Sequence, residues 1–322
     1  MKISRGSAIA GVLLCALFLG AALAQTKKAI AIGTGGTGGV YYPLGGALAN
    51  VLSKYLPDVQ ATAEVTGGSV DNLKLIGSGQ SEIAFSMADA ALDAFNGQDK
   101  FSSGKVPLRT LMVLYPNRMH VVTIEGTGIE KMADLKGKRV STGAPGSATE
   151  VMAFRLIEAV GLDKDKDLRR ERLSVAESVN AIKDRKIDAF FWVGGIPTAG
   201  VTDLAATPGV KIKLVDHADA VPVMAAKYGN LYSKGVIKAG SYPGQDKDNP
   251  NADVWNILVT DEKMTDDFAY NVVKLIFDKK QELVAVHREA ESFVLDTQKK
   301  ENSPIPFHPG AVKYFKEKGL SF

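Results

Sequence analysis

The chain has 322 residues, of which 45% are hydrophobic and 23% are charged. Its 39 lysines and arginines nearly balance its 36 acidic residues, which gives no reason to expect nucleic acid or an acidic membrane surface as a partner. A chain of this length can bury a sizeable core, and the length favours two lobes over one.

The first residues have the pattern of an export signal. Lys2 and Arg5 precede an uncharged, apolar stretch, which ends in the cleavage pattern Ala22-Leu23-Ala24. We therefore expect residues 1–24 to be a signal peptide and the mature chain to start at about Gln25 in the periplasm. An uncleaved anchor helix is the alternative, because the uncharged run approaches the length of a membrane span. The single cysteine lies in this segment, so the mature chain would have none.

A glycine-rich turn follows the first predicted strand, at 29–33. Residues 33–38, which include Thr37 and Gly38, match the dinucleotide fingerprint G-x-G-x-x-G, and apolar spacing predicts a helix over 43–56. The acidic residue that would hold a ribose is missing from the tip of the next strand, 61–65. We therefore expect no nucleotide cofactor. A glycine turn at a helix start can instead offer its N–H groups to an anion.

Three more strand–glycine–helix units occur along the chain. Their turns are Thr66–Ser69, Gly143–Ser147 and Val193–Pro197. Turns of this kind lie at the carboxyl ends of parallel strands, where open α/β sheets bind ligands. We therefore expect the four turns to face one crevice and to share one ligand. Ser147 also begins a capping box, so its hydroxyl has two candidate roles, as a helix cap and as a ligand contact.

No catalytic or metal-binding constellation is present in the sequence. The histidines are isolated, at positions 120, 217, 287 and 308, and no G-x-S-x-G occurs. The run Lys164–Arg172 alternates in charge, which favours a solvated link between a helix and a strand. We therefore expect neither an enzyme nor a resident metal or cofactor.

The order of the predicted elements gives the architecture. Strands at 29–33, 61–65 and 82–86 start one lobe, the extended run Leu108–Ile124 leads out of it, and Val254–Val259 reads as a returning strand. We expect an α/β fold with two lobes, similar to type II periplasmic binding proteins. Lobe I would hold 25–118 plus 253–322, and lobe II 119–252. Two hinge crossings between them would let the lobes close on a ligand.

Six stretches carry a resemblance to a known family: GTGGTGGVYYPLGGALA, EVTGGSVDNL, STGAPGSATE, GGIPTAGVTDLA, AGSYPGQD and FHPGAVKYFKEKG. Through them, residues 29–322 resemble the TAXI family of solute-binding proteins of TRAP transporters. The resemblance implies a monomeric periplasmic receptor without catalysis, which traps a small organic anion. The implied ligands are glutamate or C4–C5 dicarboxylates such as 2-oxoglutarate, and the implied partners are the membrane permease subunits of a sodium-driven transporter.

The candidate ligand-binding residues follow from the turns and from this resemblance. They are Thr37, Gly38, Tyr41, Gly68, Ser69, Met87, Asp89, Tyr115, Asn117, Gly146, Ser147, Thr149, Trp192, Gly195 and Pro197. The family usually has Gly where Ala148 stands, often Gln where Met87 stands, and commonly an acidic residue where Asn117 stands. Without an acid at 117, Asp89 and Glu150 remain as partners for an amino acid's ammonium group. We therefore expect 2-oxoglutarate-like diacids to bind more tightly than glutamate.

Other classes of function stay open at this point. The same crevice could serve an exported enzyme, or it could be vestigial in an exported antigen or adaptor. Arg118 lies in the crossing strand, where its side chain either adds a cation to the crevice or faces water. We favour the orientation toward water.

Overall fold

The computed structural model describes residues 27–322, so the predicted signal peptide lies outside the described residues. The strands are β1 (Lys28–Gly33), β2 (Val59–Glu64), β3 (Ile83–Met87), β4 (Leu108–Ile124), β5 (Arg139–Ser141), β6 (Arg169–Glu171), β7 (Ala189–Gly194), β8 (Ile212–Leu214), β9 (Tyr232–Ile237) and β10 (Asn249–Asp261). The helices are α1 (Tyr41–Tyr55), α2 (Ser69–Gly77), α3 (Ala88–Asn96), α4 (Ala148–Ala159), α5 (Val175–Lys183), α6 (Ala199–Ala205), α7 (Val221–Tyr228), α8 (Asp266–Asp278), α9 (Lys280–Val284) and α10 (Pro309–Glu317). A 3₁₀ helix follows α9, at Arg288–Ser292.

The strands pair in the order β2-β1-β3-β10-β4-β7-β5-β6, with β8 beside β4 and β9 beside β10. Strand β1 is parallel to β2 and β3, and β5 is parallel to β6 and β7. Lobe I contains β1 to β3, and lobe II contains β5 to β9. Strands β4 and β10 belong to both lobes.

The two shared strands change partners along their length. Strand β10 pairs with β9 over 249–254 and with β3 over 256–259. Strand β4 pairs with β10 up to residue 118 and with β7 over 118–123. This is the two-lobed α/β architecture with two crossings that the sequence predicts. The lobe boundaries at 118/119 and 252/253 stay a prediction.

Local sequence explains most of the elements. The five residues of β3 are all buried, as expected for a central strand covered on both faces. Helix α1 places Leu44, Leu48, Val51 and Leu52 on one buried face. Each such side chain contributes about 1.5–3 kcal/mol of burial free energy. The helix predicted at 43–56 is therefore observed, displaced by one or two residues at its ends. Among residues 27–322, no helix is long and apolar enough to cross a membrane.

Candidate ligand site between the lobes

A cavity lies where the two lobes meet, with about 430 Å³ of space including the solvent at its mouth. Its walls come from the segments after β1, β2 and β5, from the last residues of β3 and β7, and from the crossing part of β4. The residues that line it are Gly35, Gly36, Gly39, Val40, Tyr41, Gly67, Gly68, Ser69, Met87, Tyr115, Asn117, Ser147, Ala148, Thr149, Trp192, Val193 and Gly194. The structure thus brings the four predicted glycine turns to one cavity.

Three helices begin at the cavity wall. Their first residues, Tyr41 of α1, Ser69 of α2 and Ala148 of α4, all line it. Gly68 precedes α2 at φ 118°, where an L side chain would be strained, and it provides no side-chain cap. The first N–H groups of a helix have no partner within the helix, and the helix dipole adds partial positive charge there. The cavity can therefore attract an anion, although no lysine, arginine or histidine lines it.

Several buried polar atoms beside the cavity have no hydrogen-bond partner within the described chain. They are the Tyr115 hydroxyl, Asn117 Oδ1 and Asn256 Nδ2. Asn256 Oδ1 accepts hydrogen bonds from the Tyr41 hydroxyl and, at 2.7 Å, from Asn117 Nδ2. Burial raises the pKa of Tyr41 and of Tyr115 well above 10, so both hydroxyls stay protonated. A buried polar group without a partner costs about 1–3 kcal/mol. These groups are free to bond to a ligand.

Asn256 was not predicted from the sequence. It lies in the middle of the apolar run Val254–Val259, and all but one residue of that run is buried. A polar residue at a buried position of a strand needs a partner, and this was the signal that could have identified it.

Nine of the fifteen predicted residues line the cavity. They are Tyr41, Gly68, Ser69, Met87, Tyr115, Asn117, Ser147, Thr149 and Trp192. Ser147 shows both of its predicted features, because its hydroxyl accepts from the N–H of Glu150 at 3.2 Å while the residue faces the cavity.

Three of the remaining residues lie in or beside contacts between the lobes. Gly38 packs against α5, where a Cβ on this glycine would stand 3.2 Å from Val175, and its carbonyl accepts from the N–H of Gly200 at 3.1 Å. The Gly146 carbonyl accepts from the N–H of Asp71 at 3.0 Å. Thr37 is exposed and does not line the cavity. The glycines allow close approach, as predicted, but what approaches is the other lobe. The lobes are therefore closed.

Gly195 and Pro197 do not line the cavity. Gly195 lies against Glu289 and the ring of Tyr115, and the N–H of Ile196 donates to Glu289 at 2.6 Å. The Pro197 carbonyl accepts from Nε2 of His287 at 3.0 Å. Both predicted residues thus connect lobe II to the segment around the 3₁₀ helix of lobe I.

Asp89 and Glu150 are not available to a ligand. Asp89 is fully buried, 3.6 Å from Arg155, and accepts from the Tyr232 hydroxyl at 2.7 Å. Glu150 is also buried and binds Arg172 at 2.5 Å. Each carboxylate already has a cationic partner and neither lines the cavity, so a role for either one in pairing with a ligand's ammonium group stays a prediction without structural support.

The charged run at 164–172 is also more than a solvated link. Its residues Arg169–Glu171 form β6, and Arg170 contacts buried Glu150 at 3.3 Å, beside Arg172. Arg118 donates to the Pro116 carbonyl at 2.9 Å and lines a separate groove, not the cavity. It follows Asn117 in an extended strand, where neighbouring side chains point to opposite faces. In the described part of the chain, no group of three or more His, Cys, Asp or Glu residues could hold a metal ion.

The fold is that of a two-lobed α/β protein with a closed cavity between its lobes. The family model of the NMT1-like family matches residues 32–319, so the chain belongs to the NMT1-like family.

Solved structures share this fold at low identity. A protein of Bordetella bronchiseptica RB50 aligns at 14% identity over 91% of this chain and 99% of that chain, with a TM-score of 0.52. An ancestral arginine-binding protein bound to arginine aligns at 12% over 84% and 100%, with a TM-score of 0.50. The periplasmic aliphatic sulphonate binding protein SsuA from Escherichia coli aligns at 13% over 91% and 84%, with a TM-score of 0.47. At these identities the first two likenesses show the fold alone.

Proposed function

We propose that this protein is a periplasmic receptor that closes on a small carboxylate and delivers it to a TRAP-type secondary transporter, without catalysis. The observation that carries the proposal is the cavity between the lobes. Three helix N-termini and unpartnered buried polar groups meet there, and no aspartate, glutamate, lysine, arginine or histidine lines it. The export pattern of residues 1–24 and membership of the NMT1-like family support the proposal. The TAXI resemblance supports the transporter partner.

Such a site can hold an anion without an arginine. A hydrogen bond to a charged group contributes about 1.5–3 kcal/mol, and a micromolar receptor needs about 8 kcal/mol overall. About four or five N–H and hydroxyl donors can supply this. Helix N-termini add about 0.3–1 kcal/mol each.

The lining favours a C4–C5 dicarboxylate such as 2-oxoglutarate over glutamate. No aspartate or glutamate lines the cavity, and Asp89 and Glu150 are engaged elsewhere. The ammonium group of glutamate would lose its water without gaining a counter-charge, and an unpaired buried charge costs several kcal/mol. The oxygen of a 2-oxo group has no such requirement.

A thermal-shift screen of organic acids, followed by calorimetry, tests this proposal. A ligand present at a hundred times its Kd should stabilise the protein by about 2.7 kcal/mol. Tighter binding of glutamate than of 2-oxoglutarate at neutral pH would contradict the diacid preference. Asn117→Asp should reduce the difference in affinity between 2-oxoglutarate and glutamate, because it places a carboxylate in the cavity. Asn50→Asp, at an exposed position of α1, should leave that difference unchanged.

The same preparation distinguishes the other classes of function. Cofactor absorbance in the purified protein would support an exported enzyme. The absence of any acid-induced shift would support an adaptor with a vestigial cavity. Uptake by vesicles that contain a TRAP permease, with and without the receptor, tests delivery.

A further inference from the structure

A second chamber adjoins the cavity, with about 370 Å³ of space including the solvent at its mouth. Five residues line both spaces: Gly36, Gly67, Ser147, Thr149 and Trp192. These five residues stand between the two spaces, and we call them the constriction. Beyond the constriction, the chamber lies between the loops after β2 and β5 and the start of α5.

The side chains of the second chamber are apolar or already hydrogen-bonded. Ala144, Leu173, Val175 and Phe191 present hydrocarbon, and none of the residues that line the chamber is charged. The hydroxyl of Thr66 donates to Asn72 at 2.7 Å and accepts from the N–H of Gly68 at 3.1 Å. A chamber with this lining has little to offer a charged or strongly polar group.

The other hydrogen-bonding side chains of the second chamber are also engaged. Ser174 accepts from the N–H of Glu177 at 3.3 Å, and Trp192 Nε1 donates to Thr198 at 2.8 Å. The first cavity differs, because the Tyr115 hydroxyl and Asn117 Oδ1 have no partner there. Among the side chains, the first cavity thus has open hydrogen-bonding capacity, and the second chamber has none.

We propose that the second chamber is a tail subsite, which takes the uncharged hydrocarbon tail of a monocarboxylate whose head lies in the first cavity. This inference rests on the proposed function, because it assumes that the first cavity binds the carboxylate. A C4–C5 diacid would stay within the first cavity. Larger 2-oxo acids with a branched or aromatic tail would use both spaces.

Calorimetry with a matched set of acids tests the tail subsite. Pyruvate carries the head alone, 4-methyl-2-oxopentanoate adds a branched tail, and 2-oxoglutarate is the short diacid. Each buried carbon should raise the affinity about fourfold, so the three extra carbons of the branched acid should give about sixtyfold over pyruvate.

Ala144→Phe adds a ring at the second chamber, and Ala144 does not line the first cavity. We expect it to lower affinity for 4-methyl-2-oxopentanoate at least tenfold and to leave pyruvate and 2-oxoglutarate within twofold. Ala206→Phe, at an exposed position outside both spaces, should change none of the three. If Ala144→Phe does not fold, Leu173→Ala removes a tail contact and should lower affinity for the branched acid alone.

The outcomes separate the tail subsite from the proposed function. If 2-oxoglutarate binds but the branched acid binds no better than pyruvate, the tail subsite is overturned and the proposed function stands. A branched-acid affinity that neither variant changes also overturns it. If none of the acids binds, the proposed function itself fails.

Discussion

The cavity, which Met87 lines, and a nearby cluster of ion pairs both lie between the lobes, and they differ in their chemistry. The cavity is lined by uncharged groups, some without partners. The interlobe clasp, which we define as Arg155 of α4 with Asp89, Asp93, Asp99 and Tyr232, is charged and paired. Its Arg155 contacts Asp93 at 2.5 Å, Asp89 at 3.6 Å and Asp99 at 3.7 Å, and donates to the Tyr232 hydroxyl at 2.8 Å.

The difference follows from what each region must tolerate. Under the proposed function the cavity empties after every delivery, so its groups must tolerate the absence of a partner. An unpartnered hydroxyl or amide costs about 1–3 kcal/mol, whereas breaking a buried ion pair costs about 3–5 kcal/mol. The clasp is therefore the costlier of the two regions to disrupt, and the cavity is the one whose groups can be left without a partner at lower cost.

Breaking the clasp should have the largest effect. Arg155→Met leaves Asp89 and Asp93 without their cation, and we expect the free energy of unfolding to fall by about 3–5 kcal/mol in urea denaturation. A triple variant that adds Asp89→Asn and Asp93→Asn to Arg155→Met should recover part of this loss. Lys186→Met removes an exposed ion pair to Asp184 and should change little. Equal losses in the free energy of unfolding for Arg155→Met and Lys186→Met would contradict the role of the clasp.

Removing one unpartnered hydroxyl from the cavity should weaken binding without lowering stability. Tyr115→Phe deletes a buried O–H that has no partner in the described chain. We expect the affinity for the carboxylate to fall by about 1.5–3 kcal/mol, or tenfold and more. The melting temperature of the ligand-free protein should rise, because a buried hydroxyl without a partner is itself destabilising. Tyr270→Phe deletes a hydroxyl that donates to Glu317 on the surface, at 2.7 Å, and serves as the control. A Tyr115→Phe protein that binds normally in calorimetry would exclude this hydroxyl from the site.

A side chain on Gly38 should obstruct closure. In Gly38→Val the Cβ would stand 3.2 Å from Val175 and 3.3 Å from Ala176, and the further methyl groups would press on α5. We expect at least a tenfold loss of affinity, a larger radius of gyration in scattering with ligand, and a native far-UV spectrum. Gly46→Val, with open space around its Cβ, is the matched control. A compact, tightly binding Gly38→Val protein would show that this contact does not limit closure.

The pH dependence of the clasp should be the smallest effect. Burial, together with the neighbouring carboxylates of Asp89 and Asp99, raises the pKa of Asp93 from 3.8 to about 6 and outweighs the opposing effect of Arg155. The folded state therefore binds this proton more tightly, and the resulting stability is full below about pH 3.8 and is lost as the pH rises through about 6.

The variant Asp93→Asn isolates this titration. From pH 4 to 7 its melting temperature should rise relative to wild type by a few degrees, since about 1 kcal/mol corresponds to about 2–4 °C for a large domain. Burial lowers the pKa of His120 and His217 to about 4, which weakens both proteins equally in acid. A difference that stays constant over this range would show that Asp93 does not titrate there.

The sequence predicts those parts of the fold that depend on local signals. Glycine turns between apolar strands and helices identify the four loops, and the run Leu108–Ile124 is observed as the single strand β4. The same signals bring Gly68, Ser69, Ser147 and Trp192 to the cavity, because turns at the carboxyl ends of parallel strands lie along one edge.

The unpredicted features depend on partners far apart in the chain. Arg155 and Asp93 are 62 positions apart, and Asn117 and Asn256 are 139 apart. No spacing rule connects such pairs, so Asp89 looked free in the sequence and Asn256 looked like an ordinary strand residue. Gly38 shows the same limit, because a glycine indicates close approach without indicating which group approaches.

The two crossings between the lobes are hydrogen-bonded neighbours. At the crossing, Asn117 lies opposite Val254 and Pro116 opposite Trp255, and the register shifts between Trp255 and Ile257. Such a two-stranded ribbon bends readily out of its own plane and resists sliding within it. Proline cannot donate to the ladder, so the ribbon is weakest where Pro116 meets the shift. We therefore expect the lobes to open along a single arc, so that one distance between two labelled positions is enough to follow the motion.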